Sequence, residues 1–155
     1  MALLKDSDRA ALRETFTEMT ARVRLIFFTQ ALGCETCEIV GQILDEVTPL
    51  GEKIELVKYN NAIDRDQVAH YGIARIPAIA VVRLEATAPD DGALAVTEHD
   101  YGIRFYGVPS GYEFMSLIGA ILDVSSGDSQ LSAPSRTLLA QVTEPTHLQV
   151  FTTPT

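Results

Sequence analysis

The pair Cys34 and Cys37 constrains this chain more than any other feature, because it stands between a predicted buried strand and a predicted amphipathic helix. Residues 22–29 (RVRLIFFT) are rich in Val, Ile and Phe, and the apolar run at 25–28 is typical of a strand buried on both faces. After a short loop at 30–33, a helix is predicted to begin at or near Cys34, with apolar residues recurring on one face. A C-x-x-C motif in this setting is typical of redox proteins.

The remaining segments predict an α/β protein. Strands that alternate with helices indicate parallel βαβ units, and two consecutive strands near the end indicate an antiparallel hairpin. We therefore predict a mixed sheet of four strands with helices on both faces. The other predicted elements are a helix at 6–20, a strand at 53–59, a helix at 64–72, a strand at 78–84, an enlarged hairpin loop at 87–100, a strand at 102–107 and a helix at 112–124.

The last thirty residues or so form a separate unit in this prediction. Residues 125–135 are a polar linker, residues 136–142 are predicted to form a short helix, and residues 147–152 (HLQVFT) a strand. This helix–strand order repeats the opening of the chain. We therefore divide the chain into a domain at 1–124 and a C-terminal helix–strand extension at 125–155.

Charge and cysteine content exclude several classes of protein. With 12 basic and 21 acidic residues the net charge is −9, and such a surface repels phosphate backbones and anionic lipids. The apolar run at 25–28 is too short for a membrane span or a secretory signal. Small secreted scaffolds usually carry more than two cysteines. We expect a cytoplasmic protein that binds neither nucleic acid nor a membrane.

The position of the two cysteines predicts different roles for them. A sulfur at the start of a helix lies near unpaired backbone N–H groups and the positive end of the helix dipole, and both stabilise a thiolate. We predict that Cys34 is the attacking nucleophile and that Cys37, one turn further on, is the resolving thiol. The redox-active disulfide Cys34–Cys37 would then serve without any other cofactor.

Two other interpretations of the cysteines are a zinc site and an inert structural pair. A zinc site needs about four ligands, and His70, His99 and His147 have no spacing that pairs with the two cysteines. We therefore predict no metal. An inert structural pair remains open, because buried cysteines are often unreactive.

Glu35 lies directly after Cys34. A carboxylate beside the attacking sulfur disfavours the thiolate. We therefore expect a Cys34 that is less acidic than in strongly oxidising proteins of this kind, and a more reducing couple.

A second feature is the dipeptide Ile76-Pro77, which lies between a helix stop at Gly72 and a strand at Ala78, with Pro77 40 residues after Cys37. A proline that starts a strand just after a turn is a candidate for the cis form.

Together, Cys34-x-x-Cys37 and Ile76-Pro77-Ala78 resemble the thioredoxin superfamily. The resemblance implies a thioredoxin-like three-layer fold, a cis Pro77 facing the cysteines, and backbone hydrogen bonds from Ile76 to a substrate chain. It places substrate contacts at Gly33, Glu35, Thr36, Ile76 and Pro77. It also implies protein thiols and disulfides as substrates, and a flavoprotein of the thioredoxin-reductase type as the electron donor.

Three further segments resemble the glutaredoxin-like protein disulfide oxidoreductases of thermophiles, which contain two tandem thioredoxin units, each with its own C-x-x-C. They are DYGIRFYGVPSGYEF (100–114), VSSGDSQLS (124–132) and VFTTPT (150–155). By this resemblance residues 1–124 are the first unit and residues 125–155 the start of a second, and the sequence ends before a second C-x-x-C. An unpaired strand at 147–152 leads us to expect a homodimer through that strand.

The same resemblance places Phe28, six positions before Cys34, where thioredoxin has a buried aspartate. Three functions remain open: a thiol–disulfide oxidoreductase, a redox-inactive or electron-relay binding module of a larger redox system, and a metal or cluster carrier. The N-terminal part of the alkyl hydroperoxide reductase flavoprotein is of the second kind, but it typically lacks the first C-x-x-C, which this chain retains.

Overall fold

The computed structural model describes residues 3–87 and 95–152. Four strands form one mixed sheet in the order β2-β1-β3-β4, flanked by helices, which confirms the predicted fold class. No helix in the described ranges is long and apolar enough to cross a membrane. The elements are α1 (Asp6–Phe16), β1 (Arg22–Thr29), α2 (Cys37–Val47), β2 (Ile54–Asn60), α3 (Arg65–His70), β3 (Ala78–Thr87), β4 (Ala95–Tyr106), α4 (Tyr112–Ser126) and α5 (Ala133–Leu139), with a short 3-10 turn at Thr48–Leu50.

The direction of β3 differs from the prediction. β1 and β2 are parallel and joined through α2, as the alternation of strands and helices indicates, but β3 runs antiparallel to β1. Thr29 pairs with Asn60 and Phe28 pairs with Ala78, so the segment with the six-residue helix α3 connects two points at the same end of the sheet. The segment between β2 and β3 therefore stays at one edge of the sheet, and β3 starts beside the end of β1.

The hairpin of β3 and β4 is longer than predicted. Residues 95–100 of the predicted enlarged loop continue β4, Thr87 ends β3, and residues 88–94 lie outside the described residues. The polar residues there suit an edge strand, which needs only one apolar face. Ala80 pairs with Arg104 but Val82 pairs with Asp100, so β4 carries two extra residues, and Gly102 in this bulge has a φ of +80°.

The C-terminal extension agrees with the prediction only in part. Helix α5 forms three residues earlier than expected, because Ser132 caps it: its side chain accepts a hydrogen bond from the Ser135 N–H at 3.3 Å. The predicted strand at 147–152 is wrong for the single chain, since these residues are exposed and pair with no described strand. A strand needs a partner for its backbone groups, and no described strand provides one here.

Two apolar layers hold the sheet between the helices. Alternate side chains of β1 point to opposite faces: Val23, Leu25 and Phe27 pack with α1, α2 and α4 in the larger cluster. Ile26 and Phe28 pack on the other face in a cluster that includes Tyr71 and Ile73 and contacts α3. The result is a three-layer arrangement with β1 buried on both faces.

Ser125, at the end of α4, joins that helix to the start of β1. It is fully buried, its hydroxyl donates to the Ala21 carbonyl at 2.7 Å, and it accepts from the Ala21 N–H at 3.0 Å. The Ser125 carbonyl accepts from the Thr20 hydroxyl and from the Arg83 guanidinium, both at 2.7 Å. One buried serine thereby satisfies both backbone groups of the residue that leads into the central strand.

We expect Ser125→Ala to lower the free energy of unfolding by about 1–3 kcal/mol, because the half-buried Ala21 N–H and carbonyl lose their buried hydroxyl partner. Urea denaturation measures this. Ser116→Ala, at an exposed position of the same helix, is the matched control and should change stability by no more than about 0.5 kcal/mol. Equal effects of the two substitutions would contradict a specific role for Ser125.

Candidate active site

The central strand β1 and the following helix α2 place the cysteines at the end of the sheet where β1 ends. β1 ends at Thr29 and α2 begins at Cys37, so Cys34 lies in the connecting segment and not in the helix. The helix therefore begins three residues later than predicted. Its first hydrogen bond runs from the Val40 N–H to the Thr36 carbonyl at 3.2 Å, and residues 35–36 form a turn ahead of it.

Cys34 and Cys37 form a disulfide whose Cα atoms are 5.4 Å apart. The two residues differ in exposure. Cys37 is 4% exposed and belongs to the larger apolar cluster, whereas Cys34 is only partly buried and packs at the edge of that cluster. A partner molecule can therefore reach the sulfur of Cys34 more easily than the sulfur of Cys37.

The start of α2 suits a negatively charged sulfur. The first backbone N–H groups of a helix have no partner within it, and the Thr36 side chain makes no capping hydrogen bond to them. Because Cys37 is the first helical residue, both sulfurs lie at the positive end of the helix dipole once the disulfide is closed. On reduction, this environment stabilises a thiolate.

The peptide bond between Ile76 and Pro77 is cis, as the resemblance implied. Phe28 pairs with Ala78 across the sheet, which puts Pro77 beside the end of β1, at the same edge as the cysteine segment. Pro77 is buried, and its carbonyl accepts a hydrogen bond from the Gly107 N–H at 3.1 Å. Ile76 is half-buried and contacts the same apolar cluster as Cys34.

The remaining predicted contact residues lie in the cysteine segment. Gly33, Glu35 and Thr36 are all exposed. Gly33 has a φ of +73°, a conformation in which glycine is favoured, and it turns the chain into Cys34. The five predicted substrate-contact residues thus meet at one edge of the sheet, and their roles in binding stay predictions.

A groove of about 810 Å³ runs from the disulfide along α2 towards β2. Its titratable side chains besides the cysteines are Glu35, Glu38, Asp45 and Lys58. The Lys58 ammonium donates to both carboxylate oxygens of Asp45, at 2.7 and 2.8 Å. Sequence reasoning missed this groove, although residues 38, 42 and 45 share one face of α2 and Lys58 lies on the strand parallel to β1.

Phe28, which the resemblance places where thioredoxin has a buried aspartate, does not lie beside Cys37. Phe28 points to the face opposite Cys37, where its ring lies 5.7 Å from that of Tyr59 and 5.8 Å from that of Tyr71. Phe27 is the side chain that lines the groove with Cys37, because successive residues of a strand face opposite sides. The only buried polar side chain among the described residues is Ser125, so no buried carboxylate lies beside Cys37 within them.

Metal ligation finds no support in the described residues. No three His, Cys, Asp or Glu residues cluster there in a way that could hold a metal ion.

Similar folds occur in solved structures of larger proteins. A protein disulfide oxidoreductase from Aeropyrum pernix K1 has a TM-score of 0.70 and 23% identity over 89% of this chain and 55% of that one. The NTD_N/C domain of alkylhydroperoxide reductase AhpF from Enterococcus faecalis V583 has a TM-score of 0.71 and 28% identity, over 88% of this chain and 60% of that one. A C503A mutant of AhpF from the same organism has a TM-score of 0.69 and 27% identity, over 86% and 58%.

This chain therefore spans between 55% and 60% of the lengths of these three structures. The sequence matches no protein-family model and no curated protein.

The unequal exposure of the cysteines predicts unequal labelling. After reduction, iodoacetamide should alkylate Cys34 at least about tenfold faster than Cys37, because Cys34 is accessible and Cys37 is buried. Mass spectrometry of timed samples measures both rates. In a denatured control the two rates should converge, and faster labelling of Cys37 in the folded protein would contradict the assignment.

Proposed function

We propose that this chain, which adopts a thioredoxin-like fold, is a thiol–disulfide oxidoreductase that exchanges disulfides with other proteins. The observation that carries the proposal is the Cys34–Cys37 disulfide at the start of α2, with one accessible and one buried cysteine. Among the similar structures, one is a protein disulfide oxidoreductase and two come from alkylhydroperoxide reductase.

The proposed reaction starts from the reduced protein. The Cys34 thiolate attacks one sulfur of a substrate disulfide, that S–S bond breaks, and the leaving thiolate takes up a proton. Cys37 then loses its proton and attacks Cys34 in the mixed disulfide, which releases the second substrate thiolate. The substrate gains two electrons and two protons, and the protein ends with the Cys34–Cys37 bond seen in the structure.

Substrate contacts in this proposal come from both sides of the disulfide. Gly33, Glu35 and Thr36 are exposed before α2, and the Ile76-Pro77 bond lies across the end of β1. In the cis form, Ile76 offers its backbone groups to an extended substrate segment, as the resemblance implies.

Each catalytic cycle leaves the protein oxidised, so a donor must supply two electrons. A flavoprotein of the thioredoxin-reductase type fits this requirement. A cytoplasmic location is part of the proposal and is based on the small number of cysteines.

A second candidate function is a binding or electron-relay module within a larger redox system. The observation that favours it is the exposed apolar tail, because such side chains are usually covered by another polypeptide. A second copy of the chain, paired through residues 147–152, is our proposed cover. The exposed apolar side chains of the tail are Leu138, Leu139, Val142, Leu148, Val150 and Phe151.

Reduction of insulin disulfides by dithiothreitol tests the first candidate. The protein should accelerate it, and Cys34→Ser should return the rate to that of dithiothreitol alone, because the attacking sulfur is lost. Cys37→Ser should accumulate a mixed disulfide with insulin, visible by mass spectrometry.

Full acceleration by the Cys34→Ser variant would rule out the proposed mechanism. No acceleration by the wild-type protein, together with a partner that binds the double-serine variant equally well, would favour the binding module.

Glu35 predicts the redox potential of the pair. A carboxylate next to Cys34 disfavours the thiolate and thereby destabilises the reduced form of the pair. The reduction potential should therefore lie well below the roughly −120 mV of strongly oxidising periplasmic proteins. Glu35→Gln should raise the potential by on the order of 10–30 mV, measured by thiol trapping in glutathione buffers. Glu52→Gln, at an exposed position at the other end of the sheet, is the control and should leave it unchanged. A wild-type value near −120 mV would contradict the prediction.

A further inference from the structure

The groove beside the disulfide carries an excess of negative charge. Three carboxylates, those of Glu35, Glu38 and Asp45, and one ammonium group, that of Lys58, line it together with both cysteines. Lys58 bonds to both oxygens of Asp45, so these two charges offset one another. The net charge of the groove therefore comes from Glu35 and Glu38.

Both of these carboxylates are available to an incoming molecule. Glu35 and Glu38 are exposed, and neither forms an ion pair with any residue that the structure describes. They stand on the two sides of Cys37 in sequence, one in the turn after Cys34 and one in the first turn of α2.

In the described segments beside the disulfide, at 30–33 and at Arg75, no free cation balances these carboxylates. Residues 30–33 contain no basic residue. Arg75, next to Ile76, places its guanidinium carbon 4.9 Å from the centre of the Tyr106 ring, and Tyr106 packs on the face of the sheet opposite Cys37. A substrate that reaches Cys34 through the groove thus meets two carboxylates before it meets a free positive charge.

We propose that Glu35 and Glu38 are specificity-determining residues that favour disulfides carried on positively charged partners and disfavour negatively charged ones. This inference rests on the proposed thiol–disulfide exchange and names its substrate class. A unit charge about 7 Å away in water changes the rate of encounter of a singly charged substrate about threefold. Two carboxylates should therefore favour a cationic over a neutral substrate by about three- to tenfold. Glutathione disulfide, which is anionic, would be a poor substrate, and proteins with basic segments beside a disulfide would be good ones.

The test uses three small disulfides that differ in charge: cystamine, which is cationic, 2-hydroxyethyl disulfide, which is neutral, and 3,3′-dithiodipropionate, which is anionic. The reduced protein is mixed with each, and the rate of Cys34–Cys37 disulfide formation is measured by thiol trapping. In each reaction the Cys34 thiolate attacks the disulfide, one small thiol leaves, and Cys37 displaces the second. The protein loses two electrons and the small disulfide gains them.

The readout is a ratio within each protein, the cationic rate over the neutral rate and the anionic rate over the neutral rate. All three disulfides are attacked by the same thiolate, so any change in its acidity caused by a substitution cancels in the ratio. Intrinsic differences between the disulfides cancel when the wild-type ratio is divided by that of a variant. A purely structural role of either glutamate would not move this quotient.

The test variant is Glu35→Gln with Glu38→Gln, and the matched control is Glu18→Gln with Glu52→Gln. The control removes the same total charge from exposed positions near the first residues of β1 and β2. Because these strands are parallel, their first residues lie at the edge of the sheet remote from the cysteines. The control thereby separates the local effect of the groove from the effect of the chain's net charge of −9.

We expect the cationic-to-neutral ratio to fall and the anionic-to-neutral ratio to rise, each by about three- to tenfold, in the Glu35/Glu38 variant, and both to stay near the wild-type values in the control. In 1 M salt, where the screening length is about 3 Å, the preference of the wild-type protein for the cationic disulfide should also fall. An unchanged ratio in the Glu35/Glu38 variant, or an equal fall in the control, would overturn the inference while leaving the proposed function intact. Failure to react with all three disulfides would overturn the proposed function, and the inference with it.

Discussion

The double-sided burial of β1 is the constraint on which the reactive end of the molecule depends. This strand pairs in parallel with β2 and antiparallel with β3, and its alternate side chains fill both apolar layers. The end of β1 therefore has a fixed position. Both the cysteine segment that follows it and the Ile76-Pro77 bond that lies across from it are positioned by the same strand.

Apolar patterns predicted the parts of the fold that are decided locally. The run at 25–28 and the apolar face of α2 required a buried strand and an amphipathic helix, and the C-x-x-C between them gave the disulfide. Features decided by distant partners were not predictable in this way. The direction of β3, the extension of β4 over residues 95–100 and the absence of a strand at 147–152 depend on which backbone groups find partners in space. Phe27 and Phe28 differ by one position, and only the register of β1 decides which of them faces Cys37.

The candidate active site combines two opposing electrostatic effects. The first turn of α2 stabilises a thiolate, and the adjacent carboxylates of Glu35 and Glu38 oppose it. The negative charge that makes the Cys34 sulfur less acidic also attracts or repels a charged substrate that approaches it. In our interpretation the same two side chains therefore tune the couple towards reduction and select the partners that it meets.

The hydrogen bonds of Ser125 have a further consequence for the geometry of any larger assembly. They fix the end of α4 next to Ala21, at the beginning of β1, whereas the disulfide follows the end of that strand. Eight residues of extended chain separate these points by about 26 Å. A polypeptide tethered through the segment after α4 thus has its attachment point at the end of the sheet opposite the disulfide.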